Sequence, residues 1–374
     1  MIAERLRDCV GPHDYVARLG GDEFAVVMGG ATEIRELVAK LQSSLRDTVD
    51  CAGQMILPDT SIGIALAPEH GCEVDDLIAK ADLALYAAKA EGRRTYRFFM
   101  PEMDVKAKAR HELATELKRA VAERDFQLHF QPLVDLNSVA ISGCEALVRW
   151  KHPVRGFVSP AEFIPIAEEI GLIEDLGEWV LDQACRVAVG WPASMTVAVN
   201  VSPIQFRRAT FPLKVAAALA RTGLAAHRLE LEITEALLLQ DNEPTLAILN
   251  QLRDLGVNIA LDDFGTGYSS LSSLHRFPID KIKIDKSFID TITEEAGSAT
   301  IVRAIVQIAA AGNKTALAEG VETAAQRDLL RHLGCQQMQG YLFSPALPED
   351  ALARLIRTTV AETQTAPRKA PLTV

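Results

Sequence analysis

The stretch IALDDFGTGYSSL, residues 259–271, places two carboxylates directly after an apolar run and then enters a loop rich in Gly and Ser. Successive side chains of a β-strand point to opposite faces, and a carboxylate that meets no cation, donor or water is costly to bury. Asp262 and Asp263 therefore indicate a strand end that needs charge. Gly265 and Gly267 suit a mobile loop, with a plain strand-to-helix connection as the alternative.

The alternation of strand and helix extends from Phe126 towards the C-terminus. Amphipathic segments at residues 212–224, 244–256 and 324–334 each close on a glycine, as helix C-termini often do. Eight strands over roughly 230 residues predict a modified TIM (β/α)₈ barrel. The six residues 135–140 are too few for a helix, so the first two strands are predicted to pair antiparallel. The candidate strands are FQLHFQPLV, ISGCEALVRW, MTVAVNVS, RLELEIT, VNIALDDF, KIKID, TALAEGV and MQGYLFS.

Three further zones complete the predicted organisation. Residues 1–99 form an incomplete α/β domain with a hairpin around Gly20 and Gly21. Residues 100–124 are predicted to form a linker helix with an apolar stripe of Leu113, Leu117 and Val121. The barrel domain is expected over residues 110–358, overlapping that helix, and residues 359–374 are expected to be a disordered tail.

The composition excludes several classes of protein. The chain has 374 residues, of which 48% are hydrophobic and 24% charged, an ordinary globular mixture. Its net charge of −11 argues against polymeric nucleic acid or an anionic membrane as a partner. An anionic substrate would therefore require metal ions or a local basic pocket.

The six cysteines are dispersed and include no CxxC pair, so they predict reduced thiols rather than a disulfide framework. The eight histidines show no zinc-ligand spacing. No apolar run is long enough to cross a membrane, and the N-terminal residues have no signal-peptide core. The expected location is the cytoplasm.

Polar residues end six of the apolar strands, and the C-terminal strand ends of a barrel converge on one face. Each residue alone could be an ordinary solvent-facing strand end, but crowded carboxylates repel one another unless cations lie between them. Their oxygens suit Mg²⁺ or Mn²⁺, and a pair of such ions suits phosphodiester hydrolysis. Lys283 would orient or deprotonate the attacking water, or stabilise developing charge. The set comprises Glu145, Asn200, Glu232, Asp262, Asp263, Lys283 and Glu319.

Over residues 110–355 the chain resembles the EAL family of cyclic di-GMP phosphodiesterases. The resemblance lies in the order and spacing of EALVRW with KHP, NVS, EITE, DDFGTGYSSL, KIKID, AEGVE and QGYLFSPA. It implies a modified TIM barrel that cleaves cyclic di-GMP to linear pGpG with two Mg²⁺ or Mn²⁺ ions. Every functional residue that the resemblance assigns is present in this sequence, so the barrel is expected to be catalytically competent.

The resemblance implies a role for each matched residue. Lys283 lies beside the attacking water, and Glu235 holds the mobile loop. Gln131 and Arg149 contact the substrate, and Glu322 and Gln339 are supporting polar residues at the substrate and metal site. The implied metal ligands are Glu145, Asn200, Glu232, Asp262, Asp263 and Glu319, of which Glu145 and Glu319 also count as catalytic.

The N-terminal zone resembles the second half of the GGDEF family of diguanylate cyclases, through RLGGDEF, SIGIA and ADLALYAAKAEGRRTY. The family's first half, with a further metal-binding Asp, has no counterpart, so cyclase activity is not expected. In the inhibitory RxxD motif Gly11 replaces the Arg while Asp14 remains, and product inhibition is not expected either. The vestigial nucleotide site would comprise Gly20, Gly21, Asp22, Glu23, Lys89 and Arg93.

Two functions remain open at this stage. The first is a metal-dependent phosphodiesterase with a non-catalytic or regulatory GGDEF remnant. The second is a cyclic di-GMP receptor that binds without hydrolysis and reports through the linker helix. A homodimer formed near residues 265–271 is a further expectation from the resemblance.

Overall fold

The computed structural model describes residues 2–29, 34–45, 48–51, 54–58, 60–92, 94–238, 243–265 and 276–365. The chain divides into two compact units, residues 1–113 and 114–374. The first unit contains helices α1 (Ile2–Cys9), α2 (Ile34–Ser44) and α3 (Val74–Ala90). Its strands pair two by two: β1 (Tyr15–Gly20) with β2 (Glu23–Val27), β3 (Val49–Cys51) with β4 (Gln54–Ile56), and β5 (Ile62–Ile64) with β6 (Tyr96–Phe98).

The second unit is a closed eight-stranded barrel. The strands follow one another around it as β7 (Gln127–Asp135), β8 (Ile141–His152), β10 (Thr196–Asn200), β11 (Leu229–Thr234), β12 (Asn258–Phe264), β13 (Lys281–Ile284), β14 (Thr315–Ala318) and β15 (Gln337–Met338). β7 is antiparallel to both of its barrel neighbours, and the other neighbouring pairs are parallel. Two short strands, β9 (Gly156–Val158) and β16 (Leu347–Pro348), pair with β8 and β7. The predicted modified TIM barrel with an initial antiparallel pair is confirmed.

Helices cover the outside of the barrel. Helix α4 (Pro101–Glu123) precedes the first barrel strand and contains residues of both compact units. The three helices that the sequence predicts to close on a glycine each end just before a glycine with positive φ, at Gly223, Gly256 and Gly334. The remaining helices are α5 (Pro160–Glu169), α6 (Ile173–Val189), α7 (Pro203–Phe206), α8 (Phe211–Thr222), α9 (Glu235–Leu238), α10 (Glu243–Asp254), α11 (Lys286–Asp290), α12 (Ala296–Ala311), α13 (Ala324–His332) and α14 (Glu349–Thr365).

Alternation along the strands separates the barrel interior from the helix-facing layer. In β11 the sequence LELEIT buries Leu229, Leu231 and Ile233 completely, whereas Glu230 and Glu232 bind lysines of β13. In β13, KIKI repeats this pattern with lysines and isoleucines. Strand period two therefore directs charged side chains inward on these two strands, which is the opposite of an ordinary half-exposed sheet.

Two boundaries differ most from the prediction. The last strand was expected over MQGYLFS but covers only Gln337 and Met338, because the chain turns at Gly340, whose carbonyl accepts bonds from the amides of Phe343 and Ser344. A Cβ at Gly340 would lie 2.1 Å from the Val321 carbonyl oxygen, so this turn requires glycine. Helix α14 continues to Thr365, seven residues into the predicted tail, and residues 366–374 lie outside the described residues.

Five cysteines lie among the described side chains, and all five are free thiols. In the part of the chain that the structure describes, no helix combines the length and the apolar character that a membrane span requires.

Candidate active site at the mouth of the barrel

The barrel brings the predicted polar residues to one mouth, although Glu145 lies within β8 rather than at its end. β8, β10, β11, β12 and β13 each place at least one candidate residue there, and two more follow directly after β14 and β15. Because parallel strands end at the same edge, positions far apart in the chain meet here. The residues concerned are Glu145, Asn200, Glu232, Asp262, Asp263, Lys283, Glu319 and Gln339.

The ammonium group of Lys283 lies at the centre of the carboxylates and is almost fully buried. Its Nζ is 2.8 Å from Glu319 Oε1, 2.9 Å from Glu232 Oε2 and 3.0 Å from Asp262 Oδ1. A fourth carboxylate oxygen, Oε2 of Glu145, lies 3.7 Å away. One cation is thus shared by four anions, an arrangement with a net negative charge when all of them are ionised.

Amide side chains hold Glu145 on its other sides. Asn200 Nδ2 donates to Oε1 at 2.6 Å, and Gln339 Nε2 donates to Oε2 at 2.6 Å. The same Gln339 nitrogen is 3.0 Å from Gln131 Oε1, and Gln131 is the register partner of Glu145 on β7. Gln131 in turn donates to the Ser344 carbonyl at 3.3 Å. The antiparallel strand therefore adds a side chain to the mouth that a regular parallel barrel would not supply.

Asp262 and Asp263 are adjacent in the chain, yet both reach the same cluster. They do so because the pairing between β12 and β13 is irregular at these two residues. Asp263 has φ 55°, in the left-handed region, and the β12–β13 register shifts between Leu261 and Phe264. Asp tolerates this region better than most residues because its short polar side chain bonds locally. Carboxylate oxygens of Asp262, Asp263 and Glu319 consequently lie within 4.8 Å of one another.

Burial and mutual charge shift the acidities of the cluster. Burial and the Glu145 charge raise the pKa of Glu232 well above its ordinary value. Burial raises the pKa of Glu319 to about 7 although Lys283 opposes the shift. Burial and the adjacent Asp262 raise the pKa of Asp263. Carboxylates with these properties take up protons readily unless a cation replaces the proton.

The pKa of Lys283 lies well above its ordinary value. Burial alone would lower it, but the surrounding carboxylates, Glu145 and Glu232 foremost, outweigh that effect. Glu145 shows the converse balance, because burial raises its pKa while Lys283 and the amides of Gln339 and Asn200 bring the net value down. In its protonated form this lysine suits orienting water and stabilising charge, which are two of the predicted roles.

The donor set fits hard divalent cations. Asp262, Asp263 and Glu319 offer closely spaced oxygens, and Asn200 adds an amide oxygen. Glu232 Oε1 is buried and, among the described residues, has no hydrogen-bond partner. A buried carboxylate oxygen without a donor is costly, and a cation would satisfy it. The acidic cluster can therefore hold metal, while the ligand role of each residue stays a prediction.

Glu235 lies at the first position of α9, three residues after Glu232. Its Oε2 accepts a hydrogen bond of 3.0 Å from the Gly265 amide, at the start of the glycine-rich loop. This contact joins the start of α9 to the residue that follows β12. Loop residues 266–275 lie outside the described residues, so the anchoring role remains a prediction.

Two predicted substrate residues lie apart from the carboxylates. Arg149 is on the same face of β8 as Glu145, four residues further along, and burial lowers its pKa against the effect of Glu145. Glu322 is exposed, and its Oε1 pairs with Lys286 Nζ at 2.6 Å.

Tyr341 is the mouth residue that sequence reasoning missed. Its side chain is 70% exposed and lies close enough to Arg149 and Lys286 to affect the pKa of both. The one available signal was its position in QGYLF, beside Gln339.

The described residues of the predicted N-terminal nucleotide site are exposed, unlike the buried residues of the barrel mouth. Gly20, Gly21, Asp22 and Glu23 form the exposed end of the β1–β2 hairpin, and Arg18 donates to the Gly21 carbonyl. Lys89 is exposed near the end of α3, and Arg93 lies outside the described residues. Asp14 caps a turn by accepting from the amides of Gly11 and Gly29. The vestigial nucleotide site stays a prediction.

Comparison with protein families matches residues 114–346 to the EAL domain and residues 1–95 to the diguanylate cyclase GGDEF domain. An uncharacterized signaling protein of Caulobacter vibrioides is 46% identical over 94% of this chain and 44% of its own length. The bifunctional diguanylate cyclase/cyclic di-GMP phosphodiesterase MucR of Pseudomonas aeruginosa is 40% identical, over 94% of this chain and 52% of its own. The chain thus spans about half the length of these relatives.

A solved structure of the MucR phosphodiesterase in complex with c-di-GMP has a TM-score of 0.62 and 43% identity, and it covers 64% of this chain and 99% of its own. The EAL enzyme Bd1971, solved with cAMP and cyclic-di-GMP bound, has a TM-score of 0.65 and 29% identity, over 77% of each chain. The chain belongs to the EAL-domain family and carries a GGDEF-family region at its N-terminus.

Proposed function

We propose that the barrel hydrolyses one phosphodiester bond of cyclic di-GMP and releases linear pGpG. The observation that carries this proposal is the convergence of five carboxylates, Asn200 and Gln339 around Lys283 at one mouth. The names of MucR and of NbdA, a cyclic di-GMP phosphodiesterase 38% identical over 46% of its own length, agree with it.

Two Mg²⁺ or Mn²⁺ ions complete the proposed site. Glu145, Asn200, Glu232, Asp262, Asp263 and Glu319 would hold them, and the ions would supply Lewis-acid stabilisation of the phosphodiester and of the leaving oxygen. The buried, unpartnered Glu232 Oε1 supports this assignment. Lys283, which lies among these carboxylates, orients the attacking water and offsets the negative charge that develops on the phosphate.

The remaining mouth residues bind and orient the nucleotide. Gln131 and Gln339 form an amide pair that keeps Glu145 in one orientation. Arg149 is half-buried on the substrate side of Glu145 and offers its guanidinium to a phosphate. The exposed ring of Tyr341 provides a surface on which a guanine base stacks. Glu322 and its partner Lys286 add a polar edge at the same side of the mouth.

A regulatory arrangement forms part of the proposal. Glu235 holds the Gly265 end of the loop, and residues 265–271 would mediate homodimerisation, so that loop position and dimer formation affect the metal site together. The GGDEF-family region would be non-catalytic or regulatory. Light scattering across micromolar concentrations tests the dimer, and a monomer throughout would remove it.

The decisive experiment incubates the protein with cyclic di-GMP and either Mg²⁺ or Mn²⁺ and separates the nucleotides by chromatography. Glu145→Ala is measured in parallel, with Glu294→Gln, an exposed glutamate outside the barrel mouth, as the matched control. Linear pGpG from the parent and the control but not from Glu145→Ala supports the proposal. Tight binding with the cyclic nucleotide recovered intact under both metals would instead identify a receptor.

A further inference from the structure

A second buried ion pair lies one level below the site. Lys281 Nζ is 2.8 Å from Glu230 Oε1, and both side chains are buried. The two residues precede Lys283 and Glu232 by two positions on the same strands, β13 and β11. The barrel interior therefore contains two successive lysine–glutamate pairs, of which the mechanism above uses only the upper one.

Both pairs connect strands that share no backbone hydrogen bonds. β12 lies between β11 and β13, and Ala260 is the register partner of both Glu232 and Lys281. A methyl group at this inward position leaves room for the lysine side chains to cross β12. The lower pair is thus a direct side-chain link between the strand of Lys283 and the strand of Glu232.

This link matters because the backbone ladder beside the site is interrupted. Between β12 and β13 the register is regular at Ala260–Lys281 and Leu261–Ile282, shifts over Asp262 and Asp263, and resumes at Phe264–Ile284. On its other side β13 pairs regularly with β14. The contacts from Lys283 to Glu232 and Asp262 therefore cross the side of β13 that pairs irregularly with β12. On that side, regular backbone hydrogen bonds do not fix the position of Lys283 along the strand relative to the two carboxylates.

Stability alone is a weak reason for this pair. Desolvating two charges costs about as much as their attraction returns, and replacement by apolar residues of similar volume is often neutral or stabilising. The pair's placement supports another role. We propose that Glu230 and Lys281 are positioning residues that set the height of β13 against β11, and so keep the Lys283 ammonium among the metal-binding carboxylates.

The proposal rests on the phosphodiesterase assignment, and its test is Glu230→Met combined with Lys281→Met. The variant is expected to fold, with a melting temperature at or above that of the parent. We expect kcat for cyclic di-GMP to fall about tenfold or more while KM stays within twofold, and Mn²⁺ affinity, measured by calorimetry without nucleotide, to fall at least fivefold. A purely structural pair would change none of these well below the melting temperature.

The exchanged pair, Glu230→Lys with Lys281→Glu, restores the link in the opposite orientation. We expect it to recover kcat and Mn²⁺ affinity to within threefold of the parent. The proposal would be overturned if the double methionine variant kept both kcat and Mn²⁺ affinity within twofold of the parent. It would also be overturned if the exchanged pair recovered neither quantity beyond the level of the double methionine variant.

If the methionine pair does not fold, Glu230→Gln with Lys281→Gln takes its place under the same thresholds, because glutamine is one bond shorter than lysine and cannot span the contact. If the parent does not hydrolyse cyclic di-GMP, the phosphodiesterase assignment fails, but the Mn²⁺ measurement still decides the positioning role.

Discussion

Two regions of this chain present acidic residues in very different settings. At the β1–β2 hairpin, Asp22 and Glu23 are exposed at the end of a two-stranded ribbon. At the barrel mouth, Glu145 and Glu232 are buried around the ammonium of Lys283. Carboxylates in water repel weakly and bind cations weakly, whereas the same groups inside a closed barrel interact strongly. Closure of the sheet, rather than the number of acidic residues, distinguishes the candidate site.

The largest expected effect is that of Glu145→Ala. The substitution removes a carboxylate that contacts Asn200 and Gln339 and lies near Lys283. We expect phosphodiesterase turnover to fall by about 10³-fold, the upper end of the loss seen when one preorganised electrostatic group is removed from an active site. Product formation from cyclic di-GMP with Mn²⁺ measures it. Turnover within tenfold of the Glu294→Gln control would contradict the assignment of Glu145.

Lys283→Met is expected to destabilise the barrel mouth. Without the ammonium, the metal-free protein retains several buried carboxylates but loses the cation that they share, which costs about 3–5 kcal/mol of folding free energy. Thermal unfolding in EDTA measures the loss, and Mn²⁺ should restore part of it. The matched control is Lys151→Met, an exposed lysine on strand β8. Equal melting temperatures for the two variants in EDTA would contradict the central role of Lys283.

Added Mn²⁺ is expected to stabilise the protein through the barrel mouth and not through the β1–β2 hairpin. Binding to the native state alone stabilises it by about 2.7 kcal/mol when the free ion is at 100 times its Kd. We expect Mn²⁺ to raise the melting temperature of the parent and of Asp22→Asn equally, and to raise that of Asp263→Asn less. Differential scanning fluorimetry in matched buffers measures this. An unchanged shift in Asp263→Asn would place the ion elsewhere.

The smallest effects are expected at the hairpin. Asp22→Asn and Glu23→Gln alter exposed side chains, and surface substitutions of this kind change stability by about 0.5 kcal/mol or less. Phosphodiesterase turnover should stay within twofold of the parent. A tenfold change in turnover would show that the hairpin acts on the barrel.

Much of this architecture follows from local patterns. The eight strands, the glycine-terminated helices and the antiparallel first pair are visible in residue spacing, because periodicity and turn chemistry are properties of short segments. The last strand is shorter than predicted because Gly340 packs against the backbone of Val321, a contact between distant segments. Helix α14 extends to Thr365, beyond its predicted end, and the composition of this segment did not indicate the extension.

The sequence by itself determined which strand ends carry charge, because strand period and residue type are encoded locally. The tertiary structure alone decided how these charges meet. The left-handed backbone of Asp263 lets two adjacent aspartates share one cluster, and the Glu230–Lys281 pair lies beneath the site. Both depend on register between strands, which arises only when the barrel closes and buried charges must find partners.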